Sequence, residues 1–150
     1  MPIPEWNDYG ILPAGVHSCE IEEIEQRLAF NDRRATLVRG LEQVLGWLCD
    51  MPRIESLIVD GSFVTDKEHP SDIDAVAMIG NLSDQHQQEW VRAWQPMHSE
   101  LKAHFHVDLY PTIQGLGNDF SVFFQYLRPE EALERGAPLG TLKGLLRIER

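Results

Sequence analysis

Two aspartates stand two residues apart in Asp72-Ile73-Asp74, and nine residues separate them from the run Leu57-Ile58-Val59-Asp60-Gly61-Ser62. On an extended strand, residues i and i+2 leave the same face, so the carboxylates of Asp72 and Asp74 can share one cation while Ile73 turns into the core. Magnesium takes carboxylate and phosphate oxygens and keeps several waters, whereas zinc usually takes His or Cys, so this pair suits magnesium with a nucleotide. Gly61 permits close backbone approach, and a turn after a strand can aim amides at a phosphate, joined by the Ser62 hydroxyl and the charge of Lys67. Asp108, on the polar face of a later segment, could join the pair or serve as a general base. An Asp-x-Asp or a Gly-Ser turn alone is commonplace; their order between strands carries the reading.

Those residues need strands to hold them. Residues 54–60 are rich in Ile, Leu and Val and bounded by Pro52 and Gly61, which predicts a buried strand ending at the Gly-Ser turn. A second strand is expected over 73–79, and the alternation of Phe105, Val107 and Leu109 with His106, Asp108 and Tyr110 predicts a third, ended by Pro111. Helices are expected from Ser18, as cap, to about Phe30, and from Asp32 to Asp50 along the stripe Leu37, Leu41, Val44, Leu45 and Leu48. A third runs from Ser83 through Trp90, Trp94 and Leu101, with Pro96 expected to kink or divide it. Residues 1–17, punctuated by Pro2, Pro4, Gly10, Pro13 and Gly15, read as an extended arm. A loop over 114–118, a short helix over 119–127 and a closing strand over 143–148 complete the chain.

The 150 residues suit one domain, 1–150, with a core large enough to need neither disulfides nor a structural metal. Hydrophobic residues at 43% and charged ones at 25% describe a globular protein. A formal net charge of −11 opposes attraction to nucleic acid or anionic lipid, so no extended nucleic-acid groove is expected. Cys19 and Cys49 have no metal-type spacing. The N-terminus lacks a basic start and an apolar h-region, and no apolar run approaches a membrane span; a cytoplasmic location is expected.

The Gly-Ser turn, the Asp-x-Asp and the later strand Asp together resemble the signature of the polymerase-beta-like nucleotidyltransferase superfamily, over residues 54–110. More narrowly, Leu12-Pro13-Ala14-Gly15-Val16-His17, Arg33-Arg34, Asp60-Gly61-Ser62-Phe63-Val64-Thr65 and Lys143-Gly144 look like a bacterial family of stand-alone nucleotidyltransferase-like domains. The resemblance implies an α+β two-layer fold with a mixed sheet backed by helices. It also implies two magnesium ions, or manganese, and transfer of a nucleoside monophosphate from a nucleoside triphosphate to a hydroxyl on a protein or small molecule. By the same carry-over Asp72 and Asp74 bridge both metals, Asp108 holds the metal that activates the acceptor, and Gly61 and Ser62 hold the outer phosphates. Two departures stand out: Asp60 occupies a position where an apolar residue is common, and the arginine that small relatives carry after Gly-Ser is missing.

Two other readings compete. In one, the domain is catalytically silent and acts as an antitoxin or regulatory partner, its acidic surface meeting a basic protein. In the other, His104, His106 and Asp108 share a strand face and bind zinc or another transition metal in a hydrolase. His17, His69, His86 and His98 fit no ligand spacing and read as surface or packing residues. Lys143 and Arg147 follow the Gly140-Thr141 turn; Lys143 is the one expected at the phosphates if the last strand adjoins the site.

Overall fold

A computed structural model of the chain describes residues 3–113 and 125–149. Five strands form one mixed sheet: β1 (Val16–Cys19), β2 (Ser56–Asp60), β3 (Ile73–Met78), β4 (Val107–Thr112) and β5 (Leu145–Glu149), in the order β1-β5-β2-β3-β4. Among the described residues lie the helices α1 (Ile21–Leu28), α2 (Asp32–Leu48), α3 (Asp84–Phe105) and α4 (Pro129–Arg135). β2 runs antiparallel to β3 and β5, while β3 and β4 are parallel and joined by the crossover α3. The α+β two-layer expectation holds.

Alternation along the strands decides what each face carries. Leu57, Val59, Ile73, Ala75, Ala77, Val107, Leu109, Leu146 and Ile148 pack with the stripes of α1 and α2 and with Trp90 and Leu101 of α3 in the main core. The alternate residues Ile58, Val76, Met78 and Leu145 form a smaller cluster on the opposite face. The carboxylates of interest share this second register.

Several local expectations change. Residues 16 and 17 open β1 instead of closing an arm, because Val16 and His17 pair with Leu145 and Leu146 of β5. Ser18 therefore lies in a strand, and α1 is entered from Glu20, whose N–H donates to the Glu23 side chain at 3.2 Å. Pro96 does not divide α3. Phe105 closes that helix and His106 is its left-handed cap with φ 59°, so the strand expected from Phe105 begins only at Val107. Pro111 sits inside β4 because this is an edge strand, where a missing donor is tolerated. His104 points its ring at Glu100, 2.9 Å away on the helix, so the shared strand face of His104, His106 and Asp108 does not form. The expected loop over 114–118 and the first part of the helix over 119–127 lie outside the described residues; Tyr126 makes a bridge to Leu142 and Leu127 is not helical. The sequence reading also missed α4, although Pro129 at its start, Glu130 and Glu131 in its first turn and Gly136 just beyond Arg135 are ordinary boundary signals. Among the described residues, no helix is long and apolar enough to cross a membrane.

Candidate active site

Register brings the carboxylates together. Asp60 pairs with Asp74 across β2 and β3, and Asp74 pairs with Asp108 across β3 and β4. Paired residues on neighbouring strands leave the same face, so Asp60, Asp74 and Asp108 form a row across three strands, spaced by roughly 4.8 Å per strand. Asp72 stands two residues before Asp74 at the entry to β3. The chain leaves β2 through Gly61, whose φ is 85°, and turns at once into a short 3-10 helix, Ser62–Val64. A Cβ on Gly61 would lie 2.4 Å from Asp74 Oδ2, so glycine is required both by the backbone conformation and by the approach of that carboxylate.

Crowding of like charge marks Asp74. Burial, then Asp72, Asp60 and Asp108, push its carboxyl up to about 6, against a smaller opposing effect of Lys143. Lys143 Nζ lies 3.3 Å from Asp60 Oδ1 and 3.4 Å from the Gly61 carbonyl oxygen. The contact with Asp60 is an ion pair without hydrogen-bond geometry, and Asp60 Oδ1 is a buried oxygen with no hydrogen-bond donor. Asp108 is more fully engaged. Its Oδ1 lies 3.0 Å from His98 Nε2, and Lys102 Nζ and the Tyr110 hydroxyl each lie 3.5 Å from its Oδ2. His98 is thus a partner of the site rather than a bystander on the surface.

A cleft of about 580 Å³ opens in front of this row, and Gly61, Ser62, Lys67, Asp72, Asp74 and Lys143 all line it. Six of the seven residues singled out in the sequence therefore meet in one place. Asp108 does not line the cleft; it stands one strand beyond Asp74, 9% exposed, against α3. The lining also includes Asp60, Ser71, Tyr126, Arg128 and Glu131. Asp60 adjoined the motif in sequence, but its value comes from cross-strand register. Tyr126, Arg128 and Glu131 arrive through tertiary packing and carried no local signal.

Two adjacent arginines hold the connection that carries Ser62, Lys67 and Asp72. Arg34 is fully buried, and its guanidinium donates to the carbonyl oxygens of Leu28, Phe63, Thr65 and Lys67. Its charge also lies 4.4 Å from the Phe30 ring centroid and 5.1 Å from that of Phe63. Burial lowers its pKa to about 10, partly offset by Asp66, which leaves it charged at neutral pH. Arg33 donates to the carbonyls of Pro70 and Ser71, immediately before Asp72. On the far side, the segment 12–17 braces Lys143-Gly144: the Gly144 N–H donates to Leu12 O and the Leu145 N–H to Gly15 O, both at 2.9 Å. A Cβ on Gly144 would come within 2.2 Å of Pro13 O, so this close approach excludes larger residues.

The donors at the cleft floor are carboxylate oxygens, the set a hard divalent cation prefers. Among the described residues, no three His, Cys, Asp or Glu side chains form a ready-made coordination cluster. The fit to a cation rests instead on the like-charge crowding around Asp74 and on the undonated Asp60 oxygen beside it, both of which a cation would offset. Asp72 and Asp74 would be its protein ligands, with Asp60 and Asp108 flanking in the row.

A two-layer α+β domain with an acidic cleft at one end of its sheet is the class that the fold and the site define. Within it, the chain belongs to the family described as a family of unknown function (DUF6932), whose model matches residues 4–149. Comparison with curated proteins and with solved structures gave no match.

Proposed function

We propose that this domain is a magnesium-dependent nucleotidyltransferase, moving a nucleoside monophosphate from a nucleoside triphosphate to a hydroxyl on a protein or small molecule. The observation that supports it is the juxtaposition, in one cleft, of the Gly61-Ser62 turn with Asp72, Asp74 and Lys143. In the reaction the acceptor hydroxyl oxygen attacks the α-phosphorus, a new P–O bond forms, the bond to the β-phosphate oxygen breaks and pyrophosphate leaves. Bound magnesium would neutralise charge on the phosphate oxygens and lower the cost of the attacking and leaving oxygens. Ser62 and Lys143 orient the phosphates, and Gly61 keeps the turn close to Asp74. Asp108, one strand beyond the cleft and hydrogen-bonded by His98, acts on the site through its charge beside Asp74, and the acceptor proton passes to solvent.

α-Phosphate-labelled triphosphates incubated with the protein, magnesium or manganese and candidate hydroxyl acceptors test the proposal. Label transfer with stoichiometric pyrophosphate is expected, reduced by about a thousandfold or more in Asp74→Asn, the scale of losing a principal electrostatic stabiliser. Pyrophosphate release that persists unchanged in that variant contradicts it.

One observation favours a second reading. Lys143 beside Asp60, and the exposed Lys102 beside Asp108, place the chain's own cations against the row, which would steady an acidic surface without metal. On that reading the domain is a silent binding module, an antitoxin or regulatory partner of a basic protein, and it binds no triphosphate.

A further inference from the structure

The missing arginine after Gly-Ser has a replacement in space. Next to the cleft described above lies a second hollow of about 580 Å³, lined by Ser62, Lys67, Arg128, Glu130, Glu131, Glu134 and Arg135. Ser62, Lys67, Arg128 and Glu131 line both, so the two hollows are one continuous trough with those side chains at the junction. Of the carboxylates lining the second hollow, Glu131 is matched by Arg135, 3.2 Å from its Oε1, and Arg135 also lies 2.7 Å from Oδ1 of Asp66, which is outside the lining. Lys67 and Arg128 differ. Among the described residues their charged ends make no hydrogen bond or ion pair, and both side chains belong to exposed residues. Two unpartnered cations line the same two hollows as Ser62, in a chain of net charge −11, and such a pair suits a bound anion.

Resting on the nucleotidyltransferase reading, we infer that Arg128 and Lys67 clamp the β- and γ-phosphates, with the triphosphate leaving Asp72 and Asp74 and passing over Ser62 between the two cations. Arg128 reaches the trough because it precedes α4, and the bridge between Tyr126 and Leu142 ties its segment to the residues that lead into β5, Lys143 among them. The planar fork of arginine suits two oxygens of one phosphate, while Lys67 supplies a movable point charge. The clamp senses the length of the phosphate chain and not the base, so it selects for triphosphates as a class.

Calorimetric titration with magnesium and inorganic tripolyphosphate, and in parallel with each nucleoside triphosphate and monophosphate, tests the clamp on wild-type protein, Lys67→Ala, Arg128→Ala and Arg128→Lys. Each alanine variant is expected to weaken tripolyphosphate and triphosphate binding by about tenfold or more, with Arg128→Lys intermediate, the scale of losing a charge-assisted contact. Monophosphate affinity should stay within about twofold of wild type, the contrast that a general loss of structure would not give. Wild-type binding left unchanged by Arg128→Ala and Lys67→Ala overturns the clamp while leaving the nucleotidyltransferase reading intact. Failure of the wild-type chain to bind any triphosphate or tripolyphosphate overturns both.

Discussion

At the scale of single residues, Asp74 is held where its own charge is unwelcome. Its carboxyl is raised from 3.8 to about 6 by burial and by Asp72, Asp60 and Asp108. The folded state therefore keeps a proton that the unfolded chain has released between about pH 4 and pH 6, so this group's contribution falls as pH rises through that window and stays unfavourable above it. Asp74→Asn should remove the cost. In metal-free buffer at pH 7 the variant is expected to be more stable by on the order of 2 kcal/mol, with the difference vanishing towards pH 4. Melting curves of both proteins from pH 4 to 8 check this, and a variant less stable than wild type at pH 7 contradicts the crowding account. A site that gives up stability until something positive binds is the pattern of functional strain.

At the scale of elements, the site depends on a connection with little regular structure of its own, held by Arg34 from inside and Arg33 from its edge. Arg34→Met keeps much of the side-chain volume but leaves the carbonyls of Leu28, Phe63, Thr65 and Lys67 without this donor. It should cost about 3–5 kcal/mol, the scale of breaking a buried charged network, read as a loss in denaturant unfolding. Arg33→Ala, at a less buried position, should cost under about 1 kcal/mol while displacing Asp72, so that magnesium affinity falls more than stability does. What could be read in the sequence follows the same division. The helices 21–28, 32–48 and 84–105 and the strands at 56–60 and 73–78 announced themselves through apolar period, because periodicity is local. β1 did not, being four residues long and recognisable only by its partner β5, nor did the helical end at Phe105, where alternation mimics a strand. Pro111 misled because edge position is a property of the sheet and not of the segment. Gly61, Ser62, Asp72 and Asp74 were legible as a motif; Asp60, His98 and Arg128 joined them through register and packing that no sequence window contains.

At the scale of the whole molecule, one sheet carries the core on one face and, in the alternate register, the acidic row, so folding and site assembly are the same event. A chain of net charge −11 gains from any cation it can hold in the folded state alone, and a ligand at a hundred times its dissociation constant adds about 2.7 kcal/mol. The acidic balance also opposes binding of a nucleic-acid duplex, which would call for a broad basic surface, and is consistent with the proposed small magnesium-bound nucleotide. Whether the cleft holds a metal–nucleotide pair is the central claim. It is tested most directly by calorimetric titration of the four nucleoside triphosphates into the protein with magnesium, and again into the Asp72→Ala/Asp74→Ala variant. Magnesium-dependent binding of at least one triphosphate, abolished in a double variant that still folds, is the predicted result; a folded wild-type protein that binds none of the four, or a double variant that binds as well as wild type, would contradict it.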